Sequence, residues 1–202
     1  MLVVGFDLDM TLIDSRPGVR VSLNALSTET GVPIDVDLVL SRLGPKLEDE
    51  LAEWFPLADV PAMANRYREF YWDACVDGGT LLMPGARESV DAVRDATGRV
   101  LIVTAKAEAH SRRCLEEVGI AFDEVAGWVW GDGKADALRA HDAIAYVGDT
   151  IADVQAAVSA DVVAIGVTTG MHDAQQMRDA GADVVLESLT AFPTWLGAYD
   201  GS

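Results

Sequence analysis

Five short apolar runs rich in β-branched residues punctuate the chain, at residues 2–6, 100–103, 144–147, 162–167 and 184–186. Each is nearly continuous in apolar character instead of alternating, the pattern of strands covered on both faces. Between several of them, residues 86–97, 108–118, 134–140, 152–160 and 174–180 place apolar side chains at helical spacing. Gly98, Gly119 and Gly181 stand where three of those helices should stop. Such alternation predicts an α/β fold, a doubly wound parallel sheet, whose ligands bind at the carboxyl ends of the strands.

Residues 15–82 break the pattern. Their periodicity is helical over 20–29, 36–43, 47–54 and 62–76, with turn signals at Gly31-Val32-Pro33, Gly44-Pro45 and Phe55-Pro56. The segment reads as a small helical domain inserted after the first strand, leaving residues 1–14 and 83–202 to form the α/β core. Met83-Pro84-Gly85 marks the boundary on the way back.

Composition narrows the partners. The 202 residues carry a formal net charge of −18 and half are apolar, a globular balance that argues against nucleic acid or an anionic membrane surface. No apolar run reaches the roughly 18 residues of a membrane span, and the first residues read as a strand and not as a signal peptide. Cys75 and Cys114 lack metal or disulfide spacing and read as buried thiols of a reducing, cytoplasmic setting. The acidity fits either a high-salt cytoplasm or a compositional bias. Only three residues are lysines, Lys46, Lys106 and Lys134, so each is a candidate for a specific task.

The candidate chemistry lies just after the apolar runs. In Phe6-Asp7-Leu8-Asp9-Met10-Thr11, strand alternation puts Asp7 and Asp9 on one side. Two adjacent carboxylates repel unless a cation or proton intervenes. One arrangement uses both, with a metal neutralising a nucleophilic first acid while the second moves protons. Gly148-Asp149-Thr150-Ile151-Ala152-Asp153 repeats the theme: Asp153 falls one helical turn after Asp149, and acidic oxygens suit a hard cation such as Mg²⁺. Asp153 could equally charge the helix N-terminus or hold a lysine. Thr104-Ala105-Lys106 offers a hydroxyl and backbone N–H groups ahead of a helix, a possible phosphate cradle. Lys134 opens a further helical run.

In order along nearly the whole chain, these segments resemble the haloacid dehalogenase-like hydrolase superfamily, especially its phosphoglycolate phosphatase-like members with a small helical cap. Asp7-x-Asp9-x-Thr11 matches the first family motif, Thr104 the second, Lys134 the third and Gly148-Asp149-x-x-x-Asp153 the fourth. The resemblance implies Asp7 as the nucleophile forming an aspartyl-phosphate and Asp9 as the acid and base. It implies Mg²⁺ held by Asp7, the Asp9 carbonyl, Asp149 and Asp153. Met10, Thr11, Thr104 and Ala105 would bind the phosphoryl group, and Lys134 would balance its charge. Met10 replaces the usual glycine but keeps its amide. The prolines that often follow the third-motif lysine are missing, which leaves Lys106 as the alternative cation.

By the same resemblance residues 15–82 are a cap, in which Arg42 and Lys46 bracket Gly44-Pro45 and could meet a second anionic group of the substrate. Tyr67, Phe70, Tyr71 and Trp72 read as helix packing; Trp128 and Trp130 as facing solvent or a partner. The expectation is a Mg²⁺-dependent phosphatase of a small phosphorylated metabolite, phosphoglycolate first, working as a monomer or homodimer. A sugar phosphomutase of the same superfamily and a non-catalytic phosphate-binding protein are the alternatives. A dehalogenase is disfavoured, since it has no need of Asp9.

Overall fold

Residues 2–199 are described by a computed structural model. In chain order, β1 (Val3–Phe6) leads through the short β2 (Ile13–Asp14) into four helices, α1 (Arg16–Thr30), α2 (Val36–Ser41), α3 (Leu47–Leu51) and α4 (Val60–Ala74). The chain returns through β3 (Leu81–Leu82) and then alternates: α5 (Ala86–Asp95), β4 (Arg99–Val103), α6 (Glu108–Glu117), β5 (Glu124–Ala126), α7 (Asp132–Ala140), β6 (Ala145–Gly148) and α8 (Ile151–Ala160). It ends with β7 (Val163–Val167), α9 (Ala174–Asp179), β8 (Val184–Leu186) and α10 (Phe192–Ala198).

Six strands form one parallel sheet in the order β5-β4-β1-β6-β7-β8. The first strand lies inside it, between β4 and β6, so the strand order reverses there and a crevice opens at the carboxyl ends of these three strands. Alternate strand residues feed two apolar layers. Val4, Phe6, Val100, Ile102 and Val147 pack with Val90, Val93, Leu115 and Phe192 of α5, α6 and α10. On the other face Val3, Leu101, Val103 and Tyr146 meet Ala135, Leu138, Val154 and Met177 of α7, α8 and α9. Burial on both faces explains why the strands read as unbroken apolar runs.

The helical segment hangs from a narrow stalk. Ile13 pairs with Leu82 and Asp14 with Leu81 in an antiparallel ladder, which brings its entry and exit side by side. α1 packs along α4, with Val19, Leu23, Leu26, Ala64, Tyr67 and Tyr71 all buried.

All five expected strands are present, shifted by at most a residue at an end. A sixth, β5, was not expected, because Val125 is its only buried residue and no apolar run marks it. Residues 15–82 also hold the two-residue β3, where only helix was expected, and α10 closes the chain beyond the last expected element. α1 starts at Arg16, four residues earlier than its apolar periodicity indicates, because Pro17 suits a first helical turn. No helix among the described residues is long and apolar enough to cross a membrane.

Phe6 is fully buried and meets the Phe192 ring edge-on at 5.3 Å. Phe6→Ala should destabilise the protein by about 3–5 kcal/mol, measured by urea denaturation; a loss below about 1 kcal/mol would contradict this packing.

Candidate active site

The carboxyl end of β1 supplies the centre of the site. Asp7 follows the last strand residue, is almost completely buried, and accepts a 2.7 Å hydrogen bond from the Lys134 ammonium. Lys134, in the first turn of α7, also donates to Asp153 at 2.6 Å and to the Tyr146 hydroxyl at 3.1 Å, so its three N–H bonds all have acceptors. The Tyr146 hydroxyl in turn donates to the Val103 carbonyl at 2.8 Å, which ties the lysine's seat to β4. After Asp7 the chain turns tightly: Met10 adopts a left-handed backbone, φ 61°, and its amide donates to the Ile13 carbonyl at 2.7 Å. A left-handed position favours glycine, which accounts for the glycine that the family resemblance puts there.

Asp149 follows β6 as Asp7 follows β1, and is fully buried. Its Oδ1 accepts from the Thr11 hydroxyl at 3.1 Å. Asp153 occupies the first turn of α8 in a reciprocal cap with Thr150: its Oδ2 accepts the Thr150 hydroxyl at 2.6 Å and amide at 3.1 Å. Two glycines make room for these acids. A Cβ at Gly148 would collide with the Asp153 side chain, and one at Gly170 with the Asp149 carboxylate.

Asp7, Asp149 and Asp153 can bring one oxygen each within 4.8 Å of one another. With Lys134 as the cation among them, three ionised acids leave two negative charges uncompensated, the amount a divalent cation cancels. The strain is visible in the proton equilibria. Burial pushes Asp7 up to about 7 against the pull of Lys134, helped by Asp153 and Asp9. Burial, then the charges of Asp7 and Asp153, also raise Asp149 well above the carboxylate range. Burial alone would strip Lys134 of its proton, but Asp153 and Asp7 outweigh it and hold the ammonium charged. Hard oxygen donors, an excess of negative charge and a concave setting fit a cation such as Mg²⁺.

The loop after β4 faces this cluster. Thr104 is buried and its hydroxyl oxygen accepts the Lys106 amide at 3.2 Å. The Lys106 ammonium turns towards Asp9, 3.2 Å from its Oδ1, and donates to the Tyr71 hydroxyl of α4 at 3.0 Å. The next loop is tied to this one, with the Trp128 amide on the Lys106 carbonyl and the Val129 amide on the Thr104 carbonyl, each at 3.1 Å. Its two tryptophans meet cations from the helical segment: Lys46 lies 4.0 Å over Trp130, and the Arg68 guanidinium 4.5 Å over Trp128. The reverse arrangement also occurs, with Lys106 over Tyr71 and Arg113 over Trp72. A cavity of about 210 Å³ lies between these walls, lined by Asp7, Asp9, Thr104, Ala105, Lys106, Lys134, Asp149 and Asp153 below and by Arg42, Lys46, Tyr67 and Tyr71 above. It is smaller than the roughly 300–1,000 Å³ of drug-sized sites.

Asp7, Asp9, Thr104, Ala105, Lys134, Asp149 and Asp153 thus converge on one cavity. Two expected phosphate ligands are otherwise engaged. The Met10 amide is taken by Ile13, and the Thr11 hydroxyl, with no exposed surface, orients Asp149. Arg42 reaches the cavity already paired with Glu50 at 2.8 Å and Glu53 at 2.6 Å, whereas Lys46 rests on an indole face. Sequence reasoning missed Tyr146, read as one more apolar strand residue, and Thr150, whose spacing to Asp153 is a short capping box. It left Trp128 and Trp130 between solvent and a partner; both are exposed, and each also carries a cation of the helical segment on its ring.

A sequence profile described as haloacid dehalogenase-like hydrolase matches residues 4–167. The chain belongs to this hydrolase family. Among relatives of this haloacid dehalogenase-like hydrolase, a phosphoglycolate phosphatase of Chromobacterium violaceum is 30% identical, covering 92% of each chain. One from Haemophilus influenzae (strain 86-028NP) is 24% identical, covering 96% of this chain and 97% of its own. Among solved structures, a haloacid dehalogenase-like family hydrolase from Streptococcus pneumoniae superposes with a TM-score of 0.79 at 21% identity over 98% of each chain, which shows a shared fold.

The raised carboxylates set a pH dependence. Folded Asp7 keeps its proton up to about pH 7, while an unfolded aspartate releases it near 4, so the metal-free folded state binds more protons across that window. Its stability should therefore fall as pH rises from about 4 to 7. A cation that needs the ionised acids should stabilise more at about pH 8 than at about pH 6. Thermal melts with Mg²⁺ or EDTA at both values check this; equal shifts would contradict a metal bound by these acids.

Proposed function

We propose that this chain is a divalent-metal-dependent phosphatase of a small phosphorylated metabolite, with phosphoglycolate the first candidate, acting through an aspartyl-phosphate on Asp7. The observation that carries the reading is Asp7, held by Lys134 beside Asp149 and Asp153 at the strand-order reversal of the sheet. The phosphoglycolate phosphatases named among the relatives support the substrate choice, as does a small cavity with cations on its upper wall. Free, buried Cys75 and Cys114 fit a reducing, cytoplasmic setting.

On this reading Asp7, the Asp9 carbonyl and Asp149 would hold Mg²⁺, with Asp153 ligating or supporting, and the ion would supply positive charge to offset that of the phosphoryl oxygens. Lys134 aims Asp7 and draws its proton affinity down against burial, and its ammonium offsets the same developing charge. An Asp7 oxygen bonds to phosphorus as the ester P–O bond breaks, and Asp9 gives its proton to the departing oxygen. Asp9 then takes a proton from water, whose oxygen bonds to phosphorus while the Asp7 O–P bond breaks. Thr104 and the Ala105 amide steady the phosphoryl oxygens. Residues 15–82 act as a cap that excludes bulk water. Of Arg42 and Lys46, Lys46 meets a substrate carboxylate, since Arg42 is already neutralised by Glu50 and Glu53.

Phosphate release from a panel of small phosphate monoesters, phosphoglycolate included, should require Mg²⁺ and fall at least about 1,000-fold in Asp7→Asn. Lys46→Ala should raise KM for phosphoglycolate by about 10-fold and leave kcat nearly unchanged, about 1.4 kcal/mol of uniform binding. No turnover on any monoester would sink the phosphatase reading. A hexose phosphate isomerised without phosphate release would replace it with the phosphomutase.

A further inference from the structure

Lys106 has no part in the mechanism above, yet it is a lysine buried against the acid and base. Its ammonium lies 3.2 Å from Asp9 Oδ1, and the side chain is almost fully enclosed. Three further contacts fix where that ammonium can be. It donates to the Tyr71 hydroxyl at 3.0 Å, it lies 4.2 Å from the centre of the Tyr71 ring, and its own amide is held by Thr104. Tyr71 is itself buried in α4, with its hydroxyl 3.5 Å from Cys114 Sγ. The lysine is thus clamped at both ends, from the phosphate-facing loop of the sheet and from the helical segment.

Asp9 stands differently. Its Oδ1 is buried with no hydrogen-bond partner, although the Lys106 charge is close. The ion pair attracts the carboxylate at 3.2 Å without a directed N–H bond to it, while the ammonium donates to Tyr71. Attraction fixes the side chain's direction, while the unpartnered oxygen remains available to carry the proton given to the leaving oxygen and later taken from water. Lys134 has no such latitude: its three N–H bonds all have acceptors, on Asp7, Asp153 and Tyr146. The two buried lysines divide the two acids between them.

We propose that Lys106 is a positioning residue for Asp9, aiming its carboxylate at the scissile oxygen, and that Tyr71 makes this aim depend on contact with the helical segment. The proposal rests on the phosphatase reading above. Removing Lys106 should therefore damage the proton transfers and spare substrate binding. An alkyl phosphate needs its leaving oxygen protonated; p-nitrophenyl phosphate, with a good leaving group, needs this far less.

The test compares wild-type protein, Lys106→Met and Lys106→Arg with Mg²⁺ on phosphoglycolate and p-nitrophenyl phosphate. Lys106→Met should lose about 10- to 100-fold in kcat on phosphoglycolate, with KM within about 3-fold. On p-nitrophenyl phosphate it should release a burst of nitrophenolate equal to the enzyme present, because the aspartyl-phosphate forms and then waits for water without a well-placed base. Lys106→Arg should recover part of the loss. Should Lys106→Met not fold, judged by its thermal melt, Tyr71→Phe removes one hydroxyl and should show the same substrate pattern at a few-fold magnitude. Activity within 2-fold of wild type on both substrates overturns the proposal, as does an equal loss on both with a raised KM, which would make Lys106 a substrate ligand. Wild-type protein inactive on both substrates and on the wider panel overturns the phosphatase reading and this assignment with it. An active wild type with unchanged variants overturns the assignment alone.

Discussion

A single ammonium group organises the centre of this molecule. Lys134 enters from α7 into a largely buried place, and stays charged there because Asp153 and Asp7 beside it outweigh the cost of burial. Those carboxylates come from the end of β1 and the first turn of α8, 146 residues apart in sequence, so the lysine's need for partners fixes how β1, α7 and α8 converge. Replacing such a pair by apolar residues often costs a fold little or nothing. Its presence is better explained by what it does to Asp7: one oxygen is held, and the remaining negative charge of the cluster awaits a cation.

That excess charge gives the acidity of the chain a local meaning. A net charge of −18 repels polyanions at long range, and the three clustered acids repel one another at short range. Their raised proton affinities are the same fact seen from the other side. A proton or a metal relieves the repulsion, and the pocket becomes hospitable to a small anion only under the second. The glycines behind the acids belong to the same arrangement, since at positions 148 and 170 backbone must stand where any side chain would push a carboxylate out of place.

Much of this was legible in the sequence. Strands buried on both faces write unbroken apolar runs, so β1, β4, β6, β7 and β8 announced themselves. The acids after β1 and β6 and the lysine opening α7 stood at the ends of those runs. What could not be read had physical reasons as well. β5 is an edge strand of three residues with one buried side chain, too short to show a period. Thr11 looked like a phosphate ligand by the family resemblance; its hydroxyl in fact bonds Asp149, beyond the turn through Met10. Lys134 was the expected cation and Lys106 its alternative, and the fold puts one against each acid. The tryptophans after β5 fit no local period, because their partners come from residues 46 and 68.

Those tryptophans bear on how the site trades its contents. The seam between the helical segment and the sheet is fastened reciprocally: two cations of the segment rest on core indoles, and two core cations rest on aromatic rings of α4. Each such contact is worth about 0.5–1 kcal/mol where water reaches it, and parting one strands no carboxylate in an apolar place. Four together are worth a few kcal/mol, and the hydrogen bonds of Lys106, His110 and Arg113 across the same seam add to them. Parting such a seam would exchange aromatic faces for water and leave Arg68–Glu48 and Lys106–Asp9 whole on their own sides of it.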